Sequence, residues 1–263
     1  MLPFLTGDAY VNIILLHFMI SIRILALLLT ASVFMLPSIP NTIRFWLSVA
    51  LAIVITPVAD ASVPAVALGS LTLTVLMALR EFLIGAVLGL LAGIPLYALQ
   101  VSGFLDGTQM GLNMMNMFDP TMQEQISVLS QMKYLMAIWF YLHWDGHILL
   151  IRAIIESLRL APVGLALWED PVGTPLIEWM QNVFVIAMKI SLPLFGAILL
   201  GEIGLGFVAR TVPQLNVFIL GIPLKIGIGL FILLTVLPGT VDIFHGEIEK
   251  AVSIALSGIH FLK

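Results

Sequence analysis

Apolar runs long enough to cross a lipid bilayer fill most of this 263-residue chain. Hydrophobic residues make up 60% of it and charged residues 10%, whereas soluble domains average about 45–50% and about 25%. A spanning helix needs about 20 mostly apolar residues. The candidate runs are residues 9–36, 45–58, 63–105, 126–160, 176–208 and 215–237. The chain is therefore predicted to be an all-α integral membrane protein.

Several of these runs do not suit a straight spanning helix. Residues 63–105 would form a helix about 65 Å long, against a hydrocarbon core of about 30 Å, and residues 45–58 are too few to cross it. Proline removes a backbone donor and disrupts the preceding helical turn, and prolines border or interrupt the runs at Pro37, Pro40, Pro57, Pro64, Pro95, Pro193, Pro213, Pro223 and Pro238. Bent and hairpin helices are predicted, with protein or a water-filled cavity around the freed backbone groups.

Charged residues lie inside the apolar runs, where lipid would otherwise surround them. They are Arg23, Arg80, Glu81, Lys189 and Glu202. Insertion scales assign about 2.5–3.5 kcal/mol to each such residue, so a lipid-facing set would cost on the order of 15 kcal/mol. We expect these side chains to face protein or water, and we infer that neighbouring subunits cover much of the apolar surface.

A spaced glycine pattern favours close helix packing. Gly85, Gly89 and Gly93 recur every four residues, which lets a second helix approach the backbone. The alternative is that membrane helices are simply rich in glycine.

Residues 242–263 are predicted to form an amphipathic helix that closes the chain. Apolar residues such as Phe244 and Ile248 recur at helical spacing, with His245 and Glu249 between them. Such a helix lies on a membrane surface or on a partner protein.

Residues 103–122 form the most unusual stretch. Five of the 13 methionines lie in it: Met110, Met114, Met115, Met117 and Met122. Helical periodicity fails here, so an irregular loop is predicted between two long helices. Methionine fills irregular gaps and glycine lets the backbone bend, and a constriction so lined would exclude ions yet deform. The loop is a candidate gate or plug; the alternatives are a methionine-rich core and a loop that dips into lipid.

Composition and motifs exclude several functional classes. The chain has no cysteine, and its net charge of −4 comes without a basic cluster. Disulfides, thiolate sites and nucleic-acid binding are therefore not expected. Neither a nucleophile motif nor a phosphate-binding glycine loop is present. No enzymatic activity, catalytic residue, cofactor or metal is predicted.

Two alternative functions remain open at this point. His143 and His147 are spaced to share a helix face, as in a metalloprotease, but Trp144 stands where the catalytic base would be and a third ligand is missing. These residues are better interpreted as a polar turn. Buried charges and broken helices also mark small-molecule or ion transporters, although the inverted repeats of that class are not visible.

A motif near the C-terminus identifies a family. Residues 210–225 read RTVPQLNVFILGIPLK, and the spacing of their polar, proline and glycine residues resembles the signature of the FliR family of flagellar biosynthetic proteins. The segments REFLIGAVLG and GEIGLGFVAR are similar to other recurring pieces of that family, and the resemblance covers essentially the whole chain. The family includes the equivalent export-gate subunit of virulence type III secretion systems; the spelling here looks more flagellar.

The resemblance implies an architecture and partners. FliR-like subunits assemble with FliP and FliQ into a helical, conical export gate in the inner membrane, against which FlhB packs, and unfolded flagellar proteins pass through it. Part of the assembly is raised above the bilayer. Residues 1–263 would be one export-gate domain, with a plug loop that projects into the lumen. The implied plug residues are Gly107, Met110, Gly111, Met114, Met115, Met117 and Phe118.

The signature residues are interpreted as architectural rather than chemical. Pro213 and Pro223 would break helices, Gln214 and Asn216 would satisfy freed backbone groups, and Arg210 would pair with Glu202, two turns earlier. The predicted buried polar and packing residues are Arg80, Glu81, Gly85, Gly89, Gly93, Glu202, Arg210, Pro213, Gln214, Asn216, Gly221, Pro223 and Lys225.

Overall fold

The described part of the chain is helical throughout. The computed structural model describes residues 7–34, 39–58, 71–114, 127–163, 173–211 and 217–259. Within these ranges no strand occurs, which confirms the all-α class. The α-helices are α1 (Gly7–Thr30), α2 (Asn41–Ile55), α3 (Leu71–Ala92), α4 (Ile94–Gln109), α5 (Val128–His143), α6 (Gly146–Leu160), α7 (Gly173–Thr211) and α8 (Val217–Ile259). Single 3-10 turns follow at Ser32–Phe34, Thr56–Val58 and Leu112–Met114.

Among the described residues, four helices contain stretches long and apolar enough to cross a membrane. These stretches are Tyr10–Thr30, Leu71–Ala92, Met180–Thr211 and Leu220–Ala251. Helix α2 has 15 residues and is about 22 Å long, which is too short to span, as predicted. The fold therefore contains helices that are able to cross a membrane.

The two longest predicted runs each divide into two helices. Helix α3 closes at Gly93, whose N–H donates to the carbonyl of Gly89 at 3.1 Å. Helix α5 ends at His143, and Asp145 then takes the left-handed conformation with φ 56° before α6 begins. His143 and His147 consequently lie on different helices, so the shared helix face considered above is wrong.

Three predicted proline breaks do not occur. Helix α7, with 39 residues, continues through Pro193, and α8, with 43 residues, continues through Pro223 and Pro238. All three prolines are exposed. Proline is tolerated inside membrane-spanning helices because neighbouring helices, Ser or Thr side chains, ordered water or a local change of helix geometry satisfies the carbonyl that it leaves unbonded. Helix α8 also absorbs the first part of the segment predicted as a separate C-terminal helix; there Phe244 and Ile248 are buried.

The chain forms two compact units. Unit 1 comprises Met1–Ile94, Asp145–Trp179 and Ile248–Lys263, and unit 2 comprises Pro95–Trp144 and Met180–Glu247. In unit 1, α1 packs against α2 and α3. In unit 2, a core forms around Met110, Leu129, Leu194 and Ile198.

The glycine pattern of α3 brings α3 against α1. A Cβ atom built on Gly85 would overlap the carbonyl oxygen of Arg23 and lie 2.9 Å from Cβ of Ala26. One built on Gly89 would overlap Oγ1 of Thr30 and lie 2.6 Å from the carbonyl oxygen of Leu27. The close approach is therefore made within this chain, and the pattern is not a sign of another subunit.

We predict that Gly89→Ala destabilises the full chain in detergent by about 1–3 kcal/mol, because the added methyl group meets backbone atoms that cannot move aside. Gly204→Ala is the matched control, since a Cβ there meets no atom within 4 Å. Alanine favours a helix over glycine by about 1 kcal/mol, so the control should melt at the same temperature or higher. Equal melting temperatures for Gly89→Ala and wild type would contradict the packing described.

Candidate functional site at the end of α4

Helix α4 runs into the methionine-rich stretch. Residues 103–109 are helical, which corrects the prediction of an irregular loop from residue 103 onward. The N–H of Met110 donates to the carbonyl of Asp106 at 2.9 Å, and Gly111 then ends the helix with φ 79°. Positive φ suits glycine, so Gly111 is a helix terminator. Met115, Met117 and Phe118 lie outside the described residues, and only the backbone of Met114 is described.

The glycines of α4 let α5 approach its backbone. A Cβ atom built on Gly103 would lie 2.6 Å from Cα of Ser130, and one built on Gly107 would lie 2.7 Å from Oγ of Ser127. Ser127 also caps α5 by accepting a hydrogen bond from the N–H of Ser130. These two glycines therefore serve close packing, where the sequence had suggested bending.

A buried ion pair joins the same two helices. Lys133 of α5 donates to Oδ2 of Asp106 and, at 3.1 Å, to Oγ of Ser102. Lys133 is 6% exposed, and Asp106 and Ser102 are fully buried. Burial lowers the pKa of Lys133, and the neighbouring Asp106 carboxylate acts in the opposite direction. Ser191 of α7 donates to the carbonyl of Ser102 at 3.3 Å, which ties a third helix to the cluster.

Met110 anchors the stretch in the core of unit 2. Its side chain is 0% exposed and packs with Leu129, Leu194 and Ile198. A Cβ atom built on Gly229 of α8 would lie 2.6 Å from Cγ of Met110. Met110 therefore occupies space that exists because residue 229 has no side chain.

A second buried ion pair lies in unit 1. Nε of Arg23 donates to Oε2 of Glu81 at 2.6 Å, and its terminal nitrogens donate to Oγ of Ser157 at 3.1 Å and to the carbonyl of Ala161 at 2.9 Å. Arg23 and Glu81 are both 0% exposed. Since Ala161 follows α6, the guanidinium also neutralises the negative end of that helix.

The C-terminal signature has a different ion pair from the predicted one. Glu202 pairs with Lys225 of α8 at 2.5 Å, and among the ion pairs of the described ranges none joins it to Arg210. The predicted Arg210 pairing is therefore wrong: Arg210 is exposed on α7, and the packing of α8 brings Lys225 to the carboxylate instead.

Other signature positions have no common location. Gly221 is buried and Pro223 is exposed. Outside the signature, Lys189, one of the charges inside the apolar runs, is also exposed. Pro213, Gln214 and Asn216 lie outside the described residues. Across the described ranges, no group of three or more His, Asp or Glu is placed to hold a metal ion.

Asp106, Ser102 and Ser157 were not predicted as site residues from the sequence. Asp106 and Lys133 are 27 residues apart, and each stands beside or within an apolar run. Two opposite charges beside or within apolar runs indicate a buried ion pair, because buried charges need partners. The pairing itself requires the α4–α5 contact, which periodicity does not reveal.

We predict that Lys133→Met destabilises the full chain by about 3–5 kcal/mol, because it leaves the Asp106 carboxylate buried without its cation. The double variant Asp106→Asn, Lys133→Met should recover part of that loss. Arg159→Met is the control: its pair with Glu156 at 3.4 Å is exposed, and such pairs contribute about 0–1 kcal/mol. Thermal unfolding in detergent measures all three, and equal losses for the buried and exposed pairs would contradict the assignment.

Comparison with known proteins places the chain in a family. Residues 14–251 match the bacterial export proteins, family 1. The flagellar biosynthetic protein FliR of Bacillus subtilis (strain 168) is 35% identical over 162 residues, 60% of this chain and 62% of that protein. FliR of Escherichia coli (strain K12) is 26% identical over 234 residues, 89% and 88% of the two chains.

A relative that does not carry the FliR name is also similar to this chain. The Yop proteins translocation protein T of Yersinia pestis is 29% identical over 187 residues, 70% of each chain. The family match, residues 14–251, includes both buried ion pairs, the methionine-rich stretch, three of the membrane-spanning candidates and most of the first, Tyr10–Thr30. The chain belongs to the bacterial export proteins, family 1.

Proposed function

We propose that this chain is a non-enzymatic structural and gating subunit of the flagellar type III protein export apparatus. The chain is a component of a bacterial export system, and the observation that carries the flagellar assignment is its similarity to FliR proteins over most of its length. In this proposal residues 1–263 form one export-gate domain, which assembles with FliP and FliQ into the export gate, and FlhB packs against that gate. Unfolded flagellar proteins cross the inner membrane through it.

The exposed apolar surface of unit 2 supports an assembly. In α7 and α8, large apolar side chains such as Phe207 (68% exposed) and Leu234 (73% exposed) point away from the chain. Lys189 and Glu202 are exposed on the same apolar helix. Because charged groups in lipid are costly, protein subunits are a better cover for this surface than acyl chains alone. Lipid would then contact only the periphery of the assembly. Part of the assembly would be raised above the bilayer, toward the periplasm.

The end of α4 supports the gating role. The plug consists of Gly107, Met110, Gly111, Met114, Met115, Met117 and Phe118, as the family resemblance implies. Its base is held by the Met110 core contacts and by the Lys133–Asp106 pair. We propose that the base stays in place and that the residues after Gly111 open around the exported chain. Flexible thioethers then re-form the apolar closure once the chain has passed.

A virulence type III system is the second candidate. Similarity to the Yersinia translocation protein covers 70% of each chain, and the same assembly and gating roles would apply to different exported proteins.

Copurification tests the assembly. Extracted in mild detergent, the tagged full chain should be recovered in a stable complex with other membrane subunits, because its exposed apolar faces are covered by them. Recovery of the chain alone or as a homo-oligomer would contradict the proposal and would favour a transporter. A tagged unrelated membrane protein of similar size is the control.

The plug is tested without disturbing its base. The plug variant retains Gly107 and Met110 and carries Met114→Ser, Met115→Ser, Met117→Ser and Phe118→Ser. It should assemble normally but allow ions or small molecules to leak, because water enters a polar constriction. Conductance of membranes containing the complex, or uptake of an otherwise impermeant solute, measures the leak. Met136→Ser, on helix α5, is the control. An unchanged leak in the assembled variant would refute the plug.

A further inference from the structure

The charged cluster of unit 1 is not balanced. It contains two guanidinium groups, Arg23 and Arg80, and one carboxylate, Glu81, and all three are at most 8% exposed. Arg23 donates directly to Glu81 at 2.6 Å. One positive charge therefore remains at a depth where bulk water does not compensate it.

Arg80 is the member of the cluster that lacks an acceptor. Its Nε and both terminal nitrogens are buried, and none makes a hydrogen bond. Its nearest carboxylate oxygen, Oε1 of Glu81, is 3.9 Å from Nη1, which is beyond hydrogen-bond distance. That Oε1 atom also has no hydrogen-bond partner. Arg23, by contrast, uses Nε and both terminal nitrogens.

Arg80 lies at the border between the buried and exposed faces of α3. One turn earlier Leu76 is 62% exposed, and the adjacent Leu79 is 54% exposed. One turn later Ile84 is 0% exposed. A helix that packs on the Leu76 and Leu79 face would therefore lie beside the Arg80 side chain, which reaches that face by a change of rotamer.

We propose that this face of α3 docks an apolar helix of another export subunit that carries a buried carboxylate, and that this carboxylate accepts the hydrogen bonds of Arg80. The inference rests on the proposed function, because it requires a neighbouring subunit. An Asp or Glu side chain supplies the missing negative charge and matches the planar, two-pronged geometry of a guanidinium.

The depth of Arg80 favours a polypeptide carboxylate over a lipid phosphate. Along the Leu71–Ala92 span, Arg80 is about 13 Å from one end and about 18 Å from the other. Lipid phosphates lie outside the hydrocarbon core, which is about 30 Å thick. The central position is therefore reached from a second helix and not from a headgroup.

Arg80→Met separates an external acceptor from an internal role. The isolated full chain should melt at the same temperature as wild type or higher, since no hydrogen bond is lost, whereas Arg23→Met should melt lower. Recovery of the complex should fall about tenfold or more with Arg80→Met, because the partner carboxylate is left buried and unpaired. Arg152→Met, at an exposed position of α6, should leave recovery unchanged.

Each other outcome has a distinct meaning. Lower stability of isolated Arg80→Met, or unchanged recovery of its complex, overturns the inference while the proposed function stands. Unchanged recovery with loss of bound anionic phospholipid shows that a lipid is the acceptor and also overturns it. A wild-type chain recovered alone instead contradicts the proposed function.

Charge reversal identifies the partner. In cells that carry Arg80→Glu, revertants with restored export should gain Lys or Arg at an acidic position in an apolar helix of another subunit. Compensating changes confined to this chain, for example at Glu81, would overturn the inference.

Discussion

The close contact between α1 and α3 is the constraint on which unit 1 depends. Gly85 and Gly89 remove the side chains that would separate the two backbones, and at this separation Arg23 reaches Glu81. The same arginine then bonds to Ser157 and Ala161, so α6 is held by a group that the α1–α3 contact has positioned. Helix packing and charge neutralisation are therefore one arrangement in this unit.

Unit 2 also combines a close contact between two helices with a buried ion pair. Gly103 and Gly107 bring α4 against α5, and Lys133 and Asp106 pair inside that contact. Small residues let helices approach in the absence of a strong hydrophobic force, and the excluded water strengthens the polar contacts between them. The methionine-rich stretch therefore begins at a helix that close packing and a buried ion pair hold in place.

The sequence predicted the features that follow from composition and length. The all-α class, the short α2 and the division of the over-long run 63–105 all depend on local properties, and the turn at Trp144 and Asp145 lies where a polar turn was predicted. The errors have a tertiary origin. Helices α7 and α8 continue through Pro193, Pro223 and Pro238, since membrane-spanning helices tolerate proline where other groups satisfy the freed carbonyl. Residues 103–109 are helical because α5 packs on their glycines, and Glu202 meets Lys225 because α8 returns beside α7.

Gly229 makes the register of α8 part of the closure at the end of α4. The thioether of Met110 fills the space left by the missing side chain, whereas Ile226 and Leu233, three or four residues away on the same helix face, carry large ones. Sliding α8 along its axis by about one turn, about 5.4 Å, would bring such a side chain toward the thioether and displace it. An axial movement of one long helix would thus become a lateral movement at the root of the methionine segment.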